Sequence, residues 1–182
     1  PSTHGCRGSS VGPMDALDIL RDLTSRPRTA AAALGGQLNP VSLNARPGGH
    51  DNSVAWLLWH TGREIDVQLA DLTGSEQVWT AHGFDVRFAL GELGDTVGYG
   101  HSSEEARRIV VEDGPGLLEY IDAALAAFED HLGTLSQDDL ADVIDEQWDP
   151  PVTRGARLVS ILDDAAQHFA QAAYVLGMPL RR

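Results

Sequence analysis

The sequence predicts an all-α protein, a four-helix bundle with a long irregular crossover between helices 2 and 3. Three observations predict it. Four segments carry apolar residues at spacings of three and four, no convincing β-alternation occurs, and a glycine-rich connection runs from Ser75 to Gly114. That connection far exceeds the roughly 2–8 residues usual between bundle helices, and such long connections are often functional.

The first helix is expected over Asp15 to Leu38, carrying Leu17, Leu20, Leu23, Leu34 and Leu38 and breaking at Asn39-Pro40. Pro27 lies inside this span and predicts a kink or a split into two helices. After the loop Asn44 to Gly49, Asp51 or Asn52 is placed to cap a second helix that runs to Thr73 and stops at Gly74. This helix is apolar almost all round, with Val54-Ala55-Trp56-Leu57-Leu58-Trp59 and then Ile65, Val67, Leu69 and Leu72, which predicts a central position. Within the crossover, Ser102-Ser103-Glu104-Glu105 predicts a short helix to Val111. The third long helix starts near Pro115 and reaches Leu132 or Leu135 on the stripe Leu117, Leu118, Ile121, Leu125, Phe128 and Leu132. Another short helical piece is expected between Ser136 and Pro151. The last helix runs from Thr153 to Leu176, closed by Gly177 and Pro179.

With 42% hydrophobic and 22% charged residues, the 182-residue chain reads as globular, and its length suits one domain. Residues 1–13 are Gly/Ser-rich, lack periodicity and precede Met14. They are read as an expression scar or disordered leader, with the helical domain spanning 14–182. The single cysteine, Cys6, falls in that leader, so disulfides, cysteine-ligated zinc and cysteine nucleophiles are excluded from the domain. Any thiol chemistry needs a thiol from outside. The net charge is −14 and all 13 basic residues are Arg, which argues against nucleic acid as a partner. No apolar run is long enough for a membrane span and no signal peptide is visible, so a cytoplasmic location is expected. An apolar helix face would also allow homodimerisation, which periodicity does not separate from core packing.

Chemistry is most visible in the last helix. Its apolar line runs through Leu158, Ala165, Phe169, Ala172 and Leu176, and Asp164 and His168 flank it on one side, one turn apart. A carboxylate and an imidazole at that spacing form a two-ligand unit for a divalent metal, or an ordinary surface hydrogen bond. His60 follows Trp56-Leu57-Leu58-Trp59 in the most apolar part of the chain. It needs a partner there, either a metal or a backbone carbonyl. Glu64, one turn on, offers an orienter or proton acceptor. Asp66 is expected to point elsewhere, into solvent. His101, between Gly98-Tyr99-Gly100 and the Ser-Ser-Glu-Glu start, is placed to fold over a pocket at the bundle end, whereas His50, His82 and His131 carry weaker signals.

The segment Asn52 to Thr61 (NSVAWLLWHT) resembles the second helix of the DinB/YfiT-like metalloprotein superfamily, which carries one metal-binding His. The segment Asp163 to Gly177 (DDAAQHFAQAAYVLG) resembles its final helix, usually marked by His-x3-His. The resemblance extends over nearly all of the chain from Met14, including Glu76 to Thr80 and Trp148 to Thr153, where it looks like an actinobacterial subgroup related to mycothiol-dependent transferases. Asp164 stands where the first His of His-x3-His would be. The mycothiol-dependent maleylpyruvate isomerases of that superfamily also have a carboxylate there, a Glu one methylene longer. The resemblance therefore implies a divalent-metal site of His60, Asp164 and His168, with zinc expected and nickel or another divalent ion as alternatives.

It also implies a metal-dependent thiol S-transferase or isomerase in which mycothiol or a similar small thiol attacks an electrophilic substrate. Glu64 and His101 are the expected catalytic side chains. Scattered Arg residues would hold anionic groups of the substrate, with Arg63 a candidate that otherwise lies on a solvated face. Two other readings stand beside it: a metal-dependent hydrolase with Glu64 as base toward water, and a non-catalytic helical binding protein in which His60 merely packs.

Overall fold

The chain enters its first helix through a reciprocal cap: the Asp15 carboxylate accepts from the Asp18 N–H at 2.9 Å, and the Asp18 carboxylate accepts from the Asp15 N–H. In the computed structural model, which describes residues 14–179, this helix is α1 (Ala16–Leu34). The expectation about residues 1–13 lies outside the described residues. Pro27 neither ends nor splits α1. Its ring lies on the buried stripe of Leu20, Thr24, Ala31 and Leu34, so packing against the rest of the bundle offsets the missing backbone bond. A 3-10 turn and the short helix α2 (Pro40–Asn44) follow, the latter capped by Asn39 with Ser42 returning the bond.

Helix α3 (Val54–Thr73) is the central element, buried without interruption from Val54 to Arg63. Ser53 caps it, accepting from the Trp56 N–H at 3.2 Å, where Asp51 or Asn52 was expected. Asp51 instead binds Arg107 at 2.7 Å and Ser103 at 2.6 Å. As expected, α3 ends at Gly74. The other long helices are α7 (Gly114–Thr134) and α8 (Arg154–Leu176), and both α1 and α3 pack against both of them. Gly62 permits a close approach of α3 to α7, since a Cβ there would stand 2.4 Å from the Tyr120 ring.

The crossover holds α4 (Val78–Ala81), α5 (Phe84–Phe88) and α6 (Ser103–Arg108); the last starts from a capping box between Ser102 and Glu105 and stops short of the expected Val111. Between α7 and α8 a 3-10 turn precedes β1 (Val143–Asp145), which pairs antiparallel with β2 (Val152–Thr153). Sequence reading missed this sheet because strands of two and three residues are too short to show alternation. The buried residues form a connected core that includes residues of all four long helices, and no described helix is long and apolar enough to cross a membrane.

Two expectations fail together inside α3. Arg63 and Asp66 are not solvated: they are 1% and 3% exposed. Arg63 donates to the carbonyls of Asp95 (2.8 Å) and Thr96 (3.0 Å) and to Gln77 Oε1 (2.9 Å), and its guanidinium lies 5.0 Å from the centre of the Trp79 ring. Asp66 accepts from the N–H groups of Val78 and Trp79, both at 2.7 Å, and from the Tyr120 hydroxyl at 2.9 Å. Burial, reinforced by Asp66, holds the Tyr120 phenol well above its usual pKa, so it stays a donor. Because α3 is surrounded, a polar residue off its most apolar line meets protein rather than water.

Asp66→Ala would strand the Arg63 charge and three donors, costing about 3–5 kcal/mol in urea unfolding. Asp71→Ala, at an exposed position of the same helix, should stay within about 0.5 kcal/mol. Equal midpoints for the two variants would refute the structural role of the pair.

Candidate metal centre

His60 on α3 and Asp164 and His168 on α8 come together where the two helices pack. One ligand atom from each lies within 4.8 Å of the others. His60 Nε2 is 4.0 Å from Asp164 Oδ2, and His168 Nε2 is 3.4 Å from Asp164 Oδ1. The imidazole rings meet edge to face, with centroids 4.6 Å apart. The i, i+4 spacing read from the last helix therefore puts both side chains at one point, and the shorter Asp still comes within 3.4 Å of His168 and 4.0 Å of His60.

The hydrogen bonds of the two rings fit this trio to a cation. His60 Nδ1 meets the Val97 carbonyl and His168 Nδ1 meets Gln171 Oε1 at 2.9 Å. Each partner is an acceptor, so each Nδ1 carries a proton; in the neutral rings each Nε2 then has its lone pair on the side of Asp164, and His168, when protonated there as well, donates to that carboxylate. Asp164 Oδ2 is buried and has no hydrogen-bond partner. With both rings neutral, lone pairs surround the Asp164 carboxylate, a set that a divalent ion would complete. Two nitrogens and one oxygen suit zinc or a neighbouring divalent metal and leave coordination positions open.

Titration follows the same geometry. Burial lowers the His60 pKa, only partly countered by Val97. Burial also disfavours the charged form of His168, but hydrogen bonds to Asp164 and Gln171 outweigh it and raise the pKa. For Asp164, burial pushes the pKa up, yet His168 and His60 bring the net value below the usual carboxylate range.

The crossover delivers the wall of the site. Gly98, at φ 87°, lies so close to Trp59, Trp56 and His60 that an added Cβ would stand 2.8, 3.0 and 3.2 Å from them. His101 is stacked on Trp59 with 5.7 Å between centroids. Its Nδ1 accepts from Trp56 Nε1 at 3.3 Å, and its Nε2 then donates to Thr96 Oγ1 at 3.0 Å. Both of its nitrogens are thereby engaged. Trp56 stacks in turn on His60 at 4.6 Å. Sequence reading missed the positioning parts, Val97, Gly98, Trp56 and Gln171. Gln171, at i+3 from His168, was the one with a visible signal.

A cleft of about 480 Å³ opens on the cluster, lined by His60, Asp164 and His168 with Glu64, Gln68 and His101 among others. Glu64 is half-buried and accepts from Gln68 at 2.5 Å. Burial first, and the Asp164 charge second, raise its pKa. No Arg lines this cleft among the described residues, and Arg63, expected near the substrate, is spent on the crossover.

Fold and cluster together define a helical bundle with a candidate metal site between its second and last long helices. The chain belongs to the DinB superfamily, whose family model matches residues 23–172 and whose members are typically metal-binding. It is similar to a conserved protein from Enterococcus faecalis of known crystal structure, with 34% identity, a TM-score of 0.82, and coverage of 90% of this chain and 96% of that one. No curated protein matches it.

Gly98→Ala should leave the fold in place but displace the His60 ring. Zinc affinity in a competitive chelator titration should fall about 10–100-fold, the range for loss of an outer orienting contact. An unchanged affinity would show that the loop does not set the His60 orientation.

Proposed function

We propose that this protein is a divalent-metal-dependent enzyme that brings a small external thiol, of the mycothiol type, to an electrophilic substrate. The observation that carries the reading is the convergence of His60, Asp164 and His168, both rings fixed through Nδ1, on the floor of an open cleft. A divalent ion held there supplies a Lewis acid that lowers the pKa of a thiol or water brought to it.

The remaining work falls to the chain itself. Glu64 stands in the cleft wall with a raised pKa, a carboxylate suited to accept the thiol proton near neutral pH. The sulfur then forms its bond to the electrophilic carbon while the leaving group departs with the electron pair, and Glu64 returns the proton to it. In an isomerisation the thiol adds and is later expelled, so the same carboxylate serves both directions. His101 and Trp56 wall the cleft, and their mutual bond keeps the ring of His60 covered. The domain from Met14 onward has no cysteine, which is why the nucleophilic sulfur enters from outside.

Metal analysis and mycothiol-dependent turnover of a model electrophile, on one preparation, test this reading. His168→Ala should lose the bound ion and the activity together. Glu64→Gln should keep the ion and lower kcat by about 10²–10⁴-fold. A preparation without metal, indifferent to His168→Ala, would overturn the enzyme reading. Turnover that proceeds equally without thiol would replace transfer by hydrolysis.

A further inference from the structure

Two depressions of different chemistry meet at the metal cluster. Beside the polar cleft lies a groove of about 420 Å³, lined by Leu57, Tyr174, Val175 and Met178, and Asn52 and His168 line both. His168, Gln171 and Val175 occupy positions i, i+3 and i+7 of α8, so the groove extends roughly 10 Å along that helix from the cluster. Its volume falls in the range of small-molecule sites. The Tyr174 ring is 70% exposed at its side, an aromatic face left in water.

We propose that this groove is the subsite of the electrophile and that it takes an uncharged molecule with an apolar body about the size of two fused rings. The polar cleft then takes the thiol. This assignment rests on the thiol-transfer reading. Three observations support it. The groove is continuous with the cleft through a candidate ligand, so a molecule lying in it presents its end to the cluster. Its lining is apolar apart from Asn52, Gln171 and the imidazoles of His50 and His168. Charge favours a neutral body: no Arg lines either depression among the described residues, and Glu64 and Asp164 stand next door in a protein of net charge −14. The cleft, by contrast, offers Gln68, Ser160 and Asn52 to the hydroxyl and amide groups of a sugar-like thiol.

Calorimetric titration with 2-naphthylmethanol and naphthalene-2-sulfonate tests the subsite, on protein as purified and again after chelation. The neutral probe should bind about tenfold or more tightly than the anion in both preparations, because no guanidinium or ammonium lines the groove among the described residues to offset burial of a sulfonate. Tyr174→Arg, at an exposed position that leaves the fold intact, should reverse that preference. In turnover it should raise KM for a neutral electrophile and leave KM for mycothiol unchanged. Val175→Asp should weaken the neutral probe without altering metal content. Anion binding as tight as neutral binding, neutral affinity indifferent to both variants, or a rise in KM for mycothiol instead would overturn the inference. Metal and thiol-dependent turnover without probe binding would sink this subsite alone. Probe binding in a protein without metal or thiol dependence would sink only the reading of the reaction.

Discussion

The buried Arg63–Asp66 pair is the constraint on which the site depends. It is the point where α3 takes hold of the crossover. Asp66 receives the first N–H groups of α4 while Arg63 holds the carbonyls of Asp95 and Thr96. Val97 follows immediately, and its carbonyl fixes the His60 ring. Two charges in a nearly dry interior are tolerable because each is surrounded by partners of opposite polarity. That expense turns an irregular connection into a strap with a defined path. The irregular backbone would otherwise leave polar groups unpaired against an apolar helix.

α3 and α8 contribute unequally to the cluster. His60 is buried and fixed by main chain, whereas Asp164 and His168 are half-buried at the border of the apolar stripe of α8. One candidate ligand therefore lies deep, and two stand where the helix face turns toward water. This gradient gives the centre a closed side against the bundle and an open side toward the two depressions. A cluster placed wholly in the core would offer no such entry.

Much of this was legible in sequence. Periodicities of three and four gave all four long helices, and Gly74 and Gly177 gave ends that the structure keeps. Asp164 and His168 were visible as a pair because helical spacing is a local property. His60 joined them through family resemblance, since nothing local says that α3 and α8 pack with those residues opposed. Three of the failures share one cause. Asp66 and Arg63 looked solvated by their phase on α3, and Ser53 was passed over as a cap for Asp51 or Asn52. In each case the partner that decides the outcome (Tyr120, the crossover carbonyls, Arg107) lies far away in sequence.

Glu64 and Asp66 show how strongly helix phase governs chemistry here. They are two residues apart, about 200° around the axis. Glu64 falls on the side of His60, one turn along, and opens into the cleft, where burial and the neighbouring Asp164 raise its proton affinity. Asp66 turns toward α7, accepts three hydrogen bonds and faces a guanidinium, a setting committed to holding the crossover. Exchanging their environments would exchange their roles. The same helix thus turns one carboxylate into the cleft and commits the other to holding its wall, and the second supports the site as well, because the Val97 carbonyl that meets His60 lies on the strap that Asp66 and Arg63 anchor.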